Sequence, residues 1–332
     1  MKRITVIGGG SWGTALAVVA ARAGHSVALW SRNADVVESI NNRRVNSRYL
    51  TATSIPANVI ATAEMSVALD QSSMVLLACP SHAARELLTT IRPLLDEAAI
   101  IVSVSKGIEI ESGKRISEIA KEVAGGARPF VCLSGPSFAK EVVEGHPTAI
   151  VAASKDASAA RAVQNDLSFE NLRIYTNTDV IGTELGGSVK NVMAIAAGMT
   201  SGLGFGSNSV AALITRGLAE ITRLARREGA QVETLMGLAG LGDLVLTCTG
   251  NLSRNRFVGE ELGKGRTLVE ITSELNEVAE GINTARAVKK LADRAGLEMP
   301  ITNEVNAVLY DGKPARDAVA ELMSRPLREE VN

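Results

Sequence analysis

The stretch Ile4-Thr5-Val6-Ile7-Gly8-Gly9-Gly10-Ser11-Trp12-Gly13-Thr14-Ala15-Leu16 decides the fold of this chain. An apolar run with β-branched residues leads into glycines spaced Gly-x-Gly-x-x-Gly, and small residues at helical spacing follow, from Ala15 through Ala23. Strand, tight turn and helix in this order are what a dinucleotide-binding fingerprint requires. A second apolar run, Ser26–Trp30, predicts the next strand of the same unit.

Each glycine of the fingerprint has its own task. Gly8 makes the turn, Gly10 lets the backbone approach a pyrophosphate, and Gly13 lets the helix pack closely on the strand. The N–H groups that open the helix have no partners inside it, and the helix dipole favours an anion there. The alternative is a glycine-rich turn that binds nothing, but the strands before and after the helix favour a nucleotide site.

The alternation of strand and helix continues through the first half of the chain. Its apolar runs are continuous, which is typical of strands covered on both faces in a parallel sheet. We therefore predict an α/β fold, with a Rossmann-type, doubly wound and mostly parallel sheet. The predicted strands are Ile4–Ile7, Ser26–Trp30, Met74–Ala78, Ile100–Val104, Phe130–Leu133 and Thr148–Ala152, and the predicted helices cover 14–23, 34–47, 82–95 and 117–123.

The pattern changes near Thr178, after which helical periodicity dominates. We predict a dinucleotide-binding domain over residues 1–180 and an all-helical, substrate-binding and catalytic domain over 181–332. A long helix of small and apolar residues opens the second domain. The predicted helices are 180–199, 210–228, 232–236, 255–262, 268–274, 282–295 and 301–310.

Composition excludes several classes of protein. The chain has 332 residues, a formal net charge of −1 and 3% aromatic residues, with no basic stripe, so we expect no nucleic-acid binding. It has no uninterrupted apolar window of about 18 residues, so we expect no membrane span. The odd number and wide spacing of its cysteines favour a reducing, cytoplasmic compartment over a disulfide framework or zinc site. The scattered histidines also predict no metal site; the residues concerned are Cys79, Cys132, Cys248, His25, His82 and His146.

The end of the second strand bears on which nicotinamide cofactor binds. A chain that prefers NAD usually places an acidic residue there for the ribose 2′-hydroxyl, whereas this chain has Arg32 and Asn33. The guanidinium of Arg32 can meet a 2′-phosphate in a planar, charge-assisted contact. We therefore expect NADP(H) to be preferred over NAD(H); the alternative is that Arg32 is a solvated surface charge.

Two lysines stand in segments that combine small residues with a single charge. Lys106 follows a predicted strand, and ligands of open α/β sheets bind beyond the carboxyl ends of the strands. Lys190 lies in the long helix and shares a face with Gly186 and Gly187. This small and apolar neighbourhood should desolvate the ammonium, which lowers its pKa and suits it to exchange a proton near neutral pH. The alternative is a lysine whose ammonium reaches the surface.

Two further segments combine turn residues with polar groups. Residues 133–139 follow a predicted strand and offer free backbone N–H groups and a hydroxyl. Ser253 or Asn251 can cap a helix that begins near Arg254. A helix start that carries Arg254 and Asn255 can bind a phosphate, although a capped helix with surface arginines is an equally good interpretation of this segment alone.

Taken together, these segments resemble bacterial NAD(P)-dependent glycerol-3-phosphate dehydrogenases, and the resemblance covers nearly the whole chain. Seven motifs in the right order carry it. They are Gly-Gly-Gly-Ser-Trp-Gly-Thr-Ala-Leu-Ala (8–17), Ser-Lys-Gly-Ile-Glu (105–109), Ser-Gly-Pro-Ser-Phe-Ala (134–139), Glu-Leu-Gly-Gly-Ser-Val-Lys-Asn-Val (184–192), Leu-Ala-Gly-Leu-Gly-Asp-Leu (238–244), Ser-Arg-Asn-Arg (253–256) and Val-Ala-Glu-Gly (278–281).

The resemblance implies the roles of individual residues. Lys190 is the general acid/base, and Lys106 and Asp243 are the other catalytic residues. The residues implied around the substrate are Lys106, Gly135, Ser137, Lys190, Asp243, Ser253, Arg254 and Asn255. Those implied on the cofactor, besides the fingerprint glycines, are Ser11, Trp12, Arg32, Asn33, Tyr49, Lys106, Ala139, Arg254, Val278 and Glu280. Three positions depart from the family pattern, in which a basic residue, threonine and alanine are common; these are Asn33, Ser137 and Ser188.

The resemblance also implies a reaction. Hydride passes from NADPH or NADH to dihydroxyacetone phosphate, and protonated Lys190 delivers a proton to the carbonyl oxygen, which yields sn-glycerol 3-phosphate for phospholipid synthesis. Lys106 stabilises the developing oxyanion and holds down the pKa of Lys190, while Asp243 orients the ammonium. A metal is not required, and a homodimer is expected.

Two alternatives stay open at this point, a second enzyme and a protein of a different class. A β-hydroxyacid or 6-phosphogluconate type dehydrogenase also joins a Rossmann domain to a helical domain and uses a lysine on the first long helix. A regulatory protein could sense NADPH without turnover. Residues 105–109 and 253–256 favour the phosphotriose substrate, and a mere sensor has no need of Lys106, Lys190 and Asp243 together.

Overall fold

The computed structural model describes residues 1–126, 128–275, 277–327 and 329–330. Its first part contains the strands β1 Arg3–Ile7, β2 Ser26–Trp30, β3 Val59–Thr62, β4 Met74–Leu77, β5 Ile100–Ser103, β6 Phe130–Ser134, β7 Thr148–Ala153 and β8 Leu172–Asn177. They form one sheet in the order β3-β2-β1-β4-β5-β6-β7-β8. Neighbouring strands are parallel except for β6 and β7, which are antiparallel. The predicted Rossmann-type, mostly parallel sheet is confirmed.

Burial explains which strands the sequence revealed. Every residue of β4 is buried, and so are the last four residues of β1. The edge strands β3 and β8 alternate buried with exposed residues over most of their length. A search for continuous apolar runs therefore found the central strands and missed both edges, because an edge strand has one face toward solvent.

Seven helices accompany the sheet within its described residues: α1 Ser11–Arg22, α2 Ala34–Arg43, α3 Met65–Leu69, α4 Ala84–Ile91, α5 Ile116–Ala124, α6 Ala139–Val143 and α7 Ala157–Leu167. The predicted helix over 34–47 was too long, since Arg44 takes the left-handed conformation (φ 54°) and ends α2. The predicted helix over 82–95 is confirmed as a helical stretch over 81–94, of which only the centre, α4, is α-helical. Short 3₁₀ turns at Ser81–Ala83 and Arg92–Leu94 flank α4, and Pro93 lies in the second of them.

The second part is helical, as predicted. Its helices are α8 Val180–Gly202, α9 Ser207–Arg227, α10 Val232–Met236, α11 Asp243–Thr249, α12 Arg254–Gly263, α13 Leu268–Glu274, α14 Glu280–Ala295, α15 Pro300–Tyr310 and α16 Ala315–Ser324. A π-helical segment, Leu238–Gly242, leads into α11. The sequence prediction did not include α11 or α16.

Helix α8 runs through the centre of this helical part and is buried along almost its whole length. Helix α12 crosses it at very short range. A Cβ atom on Gly198 would lie 2.0 Å from the carbonyl oxygen of Arg256, and one on Gly259 would lie 1.9 Å from that of Ile195. Only glycine permits this approach of two backbones, so the pair of glycines holds the start of α12 beside α8.

The cysteines behave as small core residues. Cys79, Cys132 and Cys248 are free thiols, and all three are buried. Burial raises the pKa of Cys79 to about 11 and that of Cys248 to about 12, so these thiols stay protonated at neutral pH. Among the described residues, no helix has the length and apolar character needed to cross a membrane.

Candidate active site

The candidate site lies at the carboxyl edge of the sheet. Gly8 follows β1, Ser81 lies four residues beyond β4, Lys106 comes three residues after β5, and Gly135 follows β6. The strand order places β1 beside β4, with the chain turning outward in opposite directions on the two sides. Such a switch point opens a crevice beyond the strand ends, where ligands of open α/β sheets bind.

The fingerprint turn has the geometry that its glycines predict. Gly8 has φ +126°, and a Cβ atom there would lie 2.3 Å from the carbonyl oxygen of Ala78. A Cβ atom on Gly13 would lie 1.9 Å from the carbonyl oxygen of Gly8, so the helix packs directly on the turn. Gly10 is the N-cap of α1 and supplies no side-chain cap. The cradle fits the pyrophosphate of a dinucleotide, and so does a helix start whose own N-cap residue has no side chain to satisfy the first N–H groups.

A loop that follows α2 holds the fingerprint turn through hydrogen bonds. Asn46 is fully buried, and its Nδ2 donates to the carbonyl oxygen of Gly9 (2.9 Å) and to Oγ1 of Thr14 (2.8 Å). Oγ of Ser11 lies 3.2 Å from the carbonyl oxygen of Tyr49. The loop therefore brings Tyr49 against the fingerprint. The sequence analysis assigned no role to Asn46, since nothing in its local pattern marks it.

Arg32 and Asn33 have different environments at the end of β2. Arg32 is exposed. Oδ1 of Asn33 accepts hydrogen bonds from the backbone N–H groups of Asp35 (2.9 Å) and Val36 (3.2 Å), and so caps α2. The side chain of Asn33 thus has a local structural task, and Arg32 is the cation at this strand end.

Three charged side chains meet where α8 and α11 face the loop that follows β5. Asp243 is 1% exposed and accepts from both lysines: from Lys190 through Oδ1 and from Lys106 through Oδ2, the latter at 2.6 Å. Lys106 also donates to the carbonyl oxygen of Gly135 at 3.0 Å. Lys190 donates to Oγ1 of Thr247 at 2.7 Å. One buried carboxylate therefore holds two ammonium groups in a fixed relation.

Lys190 does not reach the surface, since it is only 5% exposed. Burial lowers the pKa of Lys190 to about 7, with the nearby Lys106 acting in the same direction and the carboxylate of Asp243 opposing both. A lysine with this pKa is partly protonated at neutral pH and can act as either acid or base. The small residues around it make the burial possible: a Cβ atom on Gly187 would lie 2.5 Å from Oγ of Ser134.

A chain of amide contacts ties three helices to the strand-end loop. Nδ2 of Asn191 donates to the carbonyl oxygen of Lys106 (3.2 Å), and Nδ2 of Asn255 donates to Oδ1 of Asn191 (3.0 Å). Oδ1 of Asn255 accepts from the backbone N–H of Gly281 at 2.9 Å. The amide of Asn255 is thereby shared among α8, α12 and α14, which fixes its position next to Arg254.

The start of α12 is capped as the sequence indicated. Oγ of Ser253 accepts from the backbone N–H of Arg256 at 3.2 Å, and Ser253 is buried. The side chain of Arg254 is 47% exposed and forms an ion pair with Glu277. A cation on a capped helix start, half open to solvent, is a suitable partner for a phosphate.

The other residues expected at the site differ in how they are held. Glu280 begins α14, and its carboxylate accepts from the backbone N–H (3.2 Å) and Oγ (2.6 Å) of Ser81. Oγ of Ser137 donates to the carbonyl oxygen of Gly135 at 3.1 Å. Ala139 is the first residue of α6. Val278 is 45% exposed.

Several residues at the site were not found by sequence reasoning. Thr247 and Asn191 had a readable signal: Thr247 stands four residues after Asp243, which is helical spacing, and Asn191 adjoins Lys190. Ser81 and Glu277 had none, because their role depends on contacts across 199 and 266 positions of chain, respectively.

Comparison with known families gives a consistent result over both parts of the chain. Models described as the N-terminus and the C-terminus of NAD-dependent glycerol-3-phosphate dehydrogenase match residues 3–160 and 179–320. A glycerol-3-phosphate dehydrogenase (NAD(P)+) of Koribacter versatilis strain Ellin345 is 52% identical over 335 residues, which covers 100% of this chain and 99% of the relative.

Solved structures agree with the sequence relatives. The crystal structure of a glycerol-3-phosphate dehydrogenase from Coxiella burnetii is 41% identical, has a TM-score of 0.95, and the alignment covers 98% of this chain and 99% of that one. A ketopantoate reductase from Ralstonia eutropha JMP134 is 14% identical with a TM-score of 0.60, over 97% and 99% of the two chains. The second likeness extends to the fold alone.

Proposed function

Because this chain belongs to the NAD-dependent glycerol-3-phosphate dehydrogenase family, we propose that Lys190, Lys106 and Asp243 are its catalytic centre. The enzyme is an NAD(P)-dependent oxidoreductase that interconverts dihydroxyacetone phosphate and glycerol 3-phosphate. One observation carries the proposed centre. A buried lysine ammonium shares one carboxylate with a second ammonium, at the carboxyl edge of a nucleotide-binding sheet.

In the proposed mechanism, Lys190 moves the proton. When the ketone is reduced, its protonated ammonium delivers a proton to the carbonyl oxygen; when the alcohol is oxidised, the neutral amine accepts that proton. Asp243 orients the ammonium, and Thr247 accepts one of its remaining hydrogens. Lys106 places a second positive charge near the oxygen on which negative charge develops.

The fit of the fingerprint to a dinucleotide supports a cofactor position along β1 and β2. The pyrophosphate would meet the backbone N–H groups at the start of α1, and the 2′-phosphate of NADP(H) would meet Arg32. When bound, the nicotinamide supplies or accepts the hydride. The other residues proposed on the cofactor are Gly8, Gly10, Ser11, Trp12, Gly13, Asn33, Tyr49, Lys106, Ala139, Arg254, Val278 and Glu280.

The substrate is proposed to lie between the strand-end loops and the helical part. Arg254 would contact its phosphate, with Asn255 held beside it by the amide chain and Ser253 capping the helix start. Lys106 and Lys190 would face the reacting oxygen. Gly135 and Ser137, in the loop after β6, would contact the substrate from the side of the sheet. Because the phosphate and the carbonyl are bound by different groups, the arrangement favours a phosphorylated ketone over an unphosphorylated hydroxyacid.

The domain division, the oligomeric state and the cellular compartment are also proposals. We propose a division into a dinucleotide-binding domain, 1–180, and a substrate-binding domain, 181–332, since β8 ends at Asn177 and α8 begins at Val180. We also propose a cytoplasmic location, which the free, buried cysteines support. The proposed oligomer is a homodimer, and its proposed role is to supply sn-glycerol 3-phosphate for phospholipid synthesis; both follow from family membership alone. Analytical ultracentrifugation would test the dimer.

A spectrophotometric assay tests the proposed function. The purified enzyme is mixed with dihydroxyacetone phosphate and either NADPH or NADH, and cofactor oxidation is followed. We expect turnover with both cofactors and a higher kcat/KM with NADPH. Unphosphorylated dihydroxyacetone and a β-hydroxyacid with NADP⁺ serve as comparison substrates. Equal rates with and without the phosphate would contradict the proposed substrate site.

A further inference from the structure

The loop between α13 and α14 places a carboxylate at the start of the fingerprint helix. Oε1 of Glu277 accepts hydrogen bonds from the backbone N–H of Ser11 (3.2 Å) and from its Oγ (2.5 Å). Its Oε2 forms the ion pair with Arg254. One carboxylate from the helical part therefore engages a proposed cofactor residue and a proposed substrate residue at once.

The contact with Ser11 is the one that an anionic ligand would make. Helix α1 begins at Ser11, and its N-cap, Gly10, has no side chain that could satisfy the first N–H groups. A free helix start with its positive dipole end attracts an anion. The carboxylate of Glu277 supplies that anion from within the chain. A pyrophosphate oxygen at the same N–H would have to displace it, since two anions cannot share one donor without strong repulsion.

The contact with Arg254 has a second consequence. This guanidinium is the cation proposed to bind the substrate phosphate, and an ion pair with Glu277 neutralises it. A substrate arriving before the cofactor would compete with the carboxylate for the same donors. Displacement of Glu277 from Ser11 would also weaken its hold on Arg254, because both contacts use the same side chain.

Glu277 and the residue that follows it are both partly exposed to solvent. Its neighbour Val278 is 45% exposed, whereas Ala279, just before α14, is buried. Glu280 has its own partner in Ser81 and does not share the position of Glu277. The side chain of Glu277 itself is 20% exposed. Glu277 also precedes α14, which begins at Glu280, so its carboxylate is not part of that helix.

We propose that Glu277 is an affinity-determining residue: in the free enzyme its carboxylate occupies the anion position at Ser11 and holds Arg254, and binding of the cofactor releases both. This inference rests on the proposed function, since it takes Ser11 as a cofactor residue and Arg254 as a substrate residue. It makes the cofactor a positive effector of substrate binding. Each ligand binds more weakly than its own contacts allow, because only the fraction of enzyme with Glu277 displaced is competent.

The experiment compares E277Q with the wild type by equilibrium titration of NADP⁺. The two tryptophans, Trp12 and Trp30, allow binding to be followed by fluorescence quenching. Glutamine keeps the length of the side chain and removes its charge. We expect the Kd for NADP⁺ to fall about 3- to 10-fold. We also expect glycerol 3-phosphate, titrated without cofactor by calorimetry, to bind more tightly to the variant by a similar factor.

Glu274→Gln is the matched control. Glu274 ends α13, is 58% exposed, and pairs with Arg266 at 2.5 Å. It carries the same charge change, so a general electrostatic effect would lower both Kd values equally. An unchanged or higher Kd in E277Q overturns the inference, and a higher one makes Glu277 a ligand of the cofactor. If the wild type neither binds NADP⁺ nor turns over, the proposed function fails instead.

Discussion

The ammonium of Lys190 donates a hydrogen bond to the carboxylate of Asp243, from which it is separated by 53 positions of chain. The second oxygen of that carboxylate accepts from Lys106. Asp243 holds the two ammonium groups close together, and both Asp243 and Lys190 are buried, so the protonation of Lys190 depends on the other two groups. Burial of Lys190 lowers its pKa to about 7, which suits a group that must give and take a proton at neutral pH.

Replacement of this lysine should separate binding from chemistry. We expect Lys190→Met to lower kcat for dihydroxyacetone phosphate reduction by about 10²- to 10⁴-fold, since the acid that protonates the alkoxide is lost. The Kd for NADPH should stay within about threefold, because cofactor affinity depends on the fingerprint. Lys289→Met, which alters an exposed lysine paired with Asp293 on α14, is the control. Turnover near that of the wild type would remove Lys190 from proton transfer.

The pH dependence of the two directions should be opposite. Reduction needs protonated Lys190, so its kcat/KM should be level below pH 7 and fall about tenfold per pH unit above the pKa of about 7. Oxidation needs the neutral amine and should rise over the same range and level off above it. Initial rates in both directions from pH 5 to 9 measure this. Parallel profiles would contradict a single acid/base group.

Changes to the two neighbours should shift that midpoint in opposite directions. Asp243→Asn removes the negative charge that favours the ammonium, so the pKa of Lys190 should fall and the reduction profile should move to lower pH. Lys106→Met removes a like charge, so the pKa of Lys190 should rise and the profile should move to higher pH. Both variants should also lose kcat. The direction of each shift, read from kcat/KM against pH, is the decisive measurement.

Much of the fold could be predicted from sequence because its central strands are buried on both faces. A continuous apolar run such as Met74–Leu77 is readable without any knowledge of its neighbours. Val59–Thr62 and Leu172–Asn177 are not, because a half-exposed edge strand of four to six residues resembles a loop. The antiparallel pairing of β6 with β7 was also hidden, since strand direction depends on the connection and leaves no trace in the run itself.

Some residues of the site could likewise be predicted from local sequence patterns, and others could not. Lys190 could be selected because small residues surround it along one helix, and Gly8, Gly10 and Gly13 because their spacing has a mechanical meaning. The contact of Glu277 with Ser11 could not be predicted, since it joins segments 266 positions apart and Glu277 belongs to no recognised pattern. Local periodicity reports on burial, whereas partners across the chain are decided by packing.

The choice of cofactor should depend on Arg32. Arg32 is exposed at the end of β2. It is the cation at that position, since the neighbouring Asn33 is neutral and caps α2. We expect Arg32→Ala to raise the KM for NADPH about tenfold, since a charge-assisted contact is lost, and to leave the KM for NADH nearly unchanged. Arg43→Ala, an exposed arginine at the far end of α2, is the control. An unchanged preference for NADPH would show that the 2′-phosphate is bound elsewhere.

Arg254 should matter most for the phosphate of the substrate. Its guanidinium is partly exposed at a capped helix start, and the adjacent Asn255 is fixed by Asn191 and Gly281. We expect Arg254→Ala to raise the KM for dihydroxyacetone phosphate by about 10- to 100-fold, the value of a lost hydrogen bond between charged groups. The KM for NADPH should rise less, and the KM for unphosphorylated dihydroxyacetone should not rise. Arg256→Ala is the matched control, because Arg256 lies on the same turn but pairs with Glu260. If both arginine variants weakened phosphorylated and unphosphorylated substrates equally, the phosphate would have to be bound by another group.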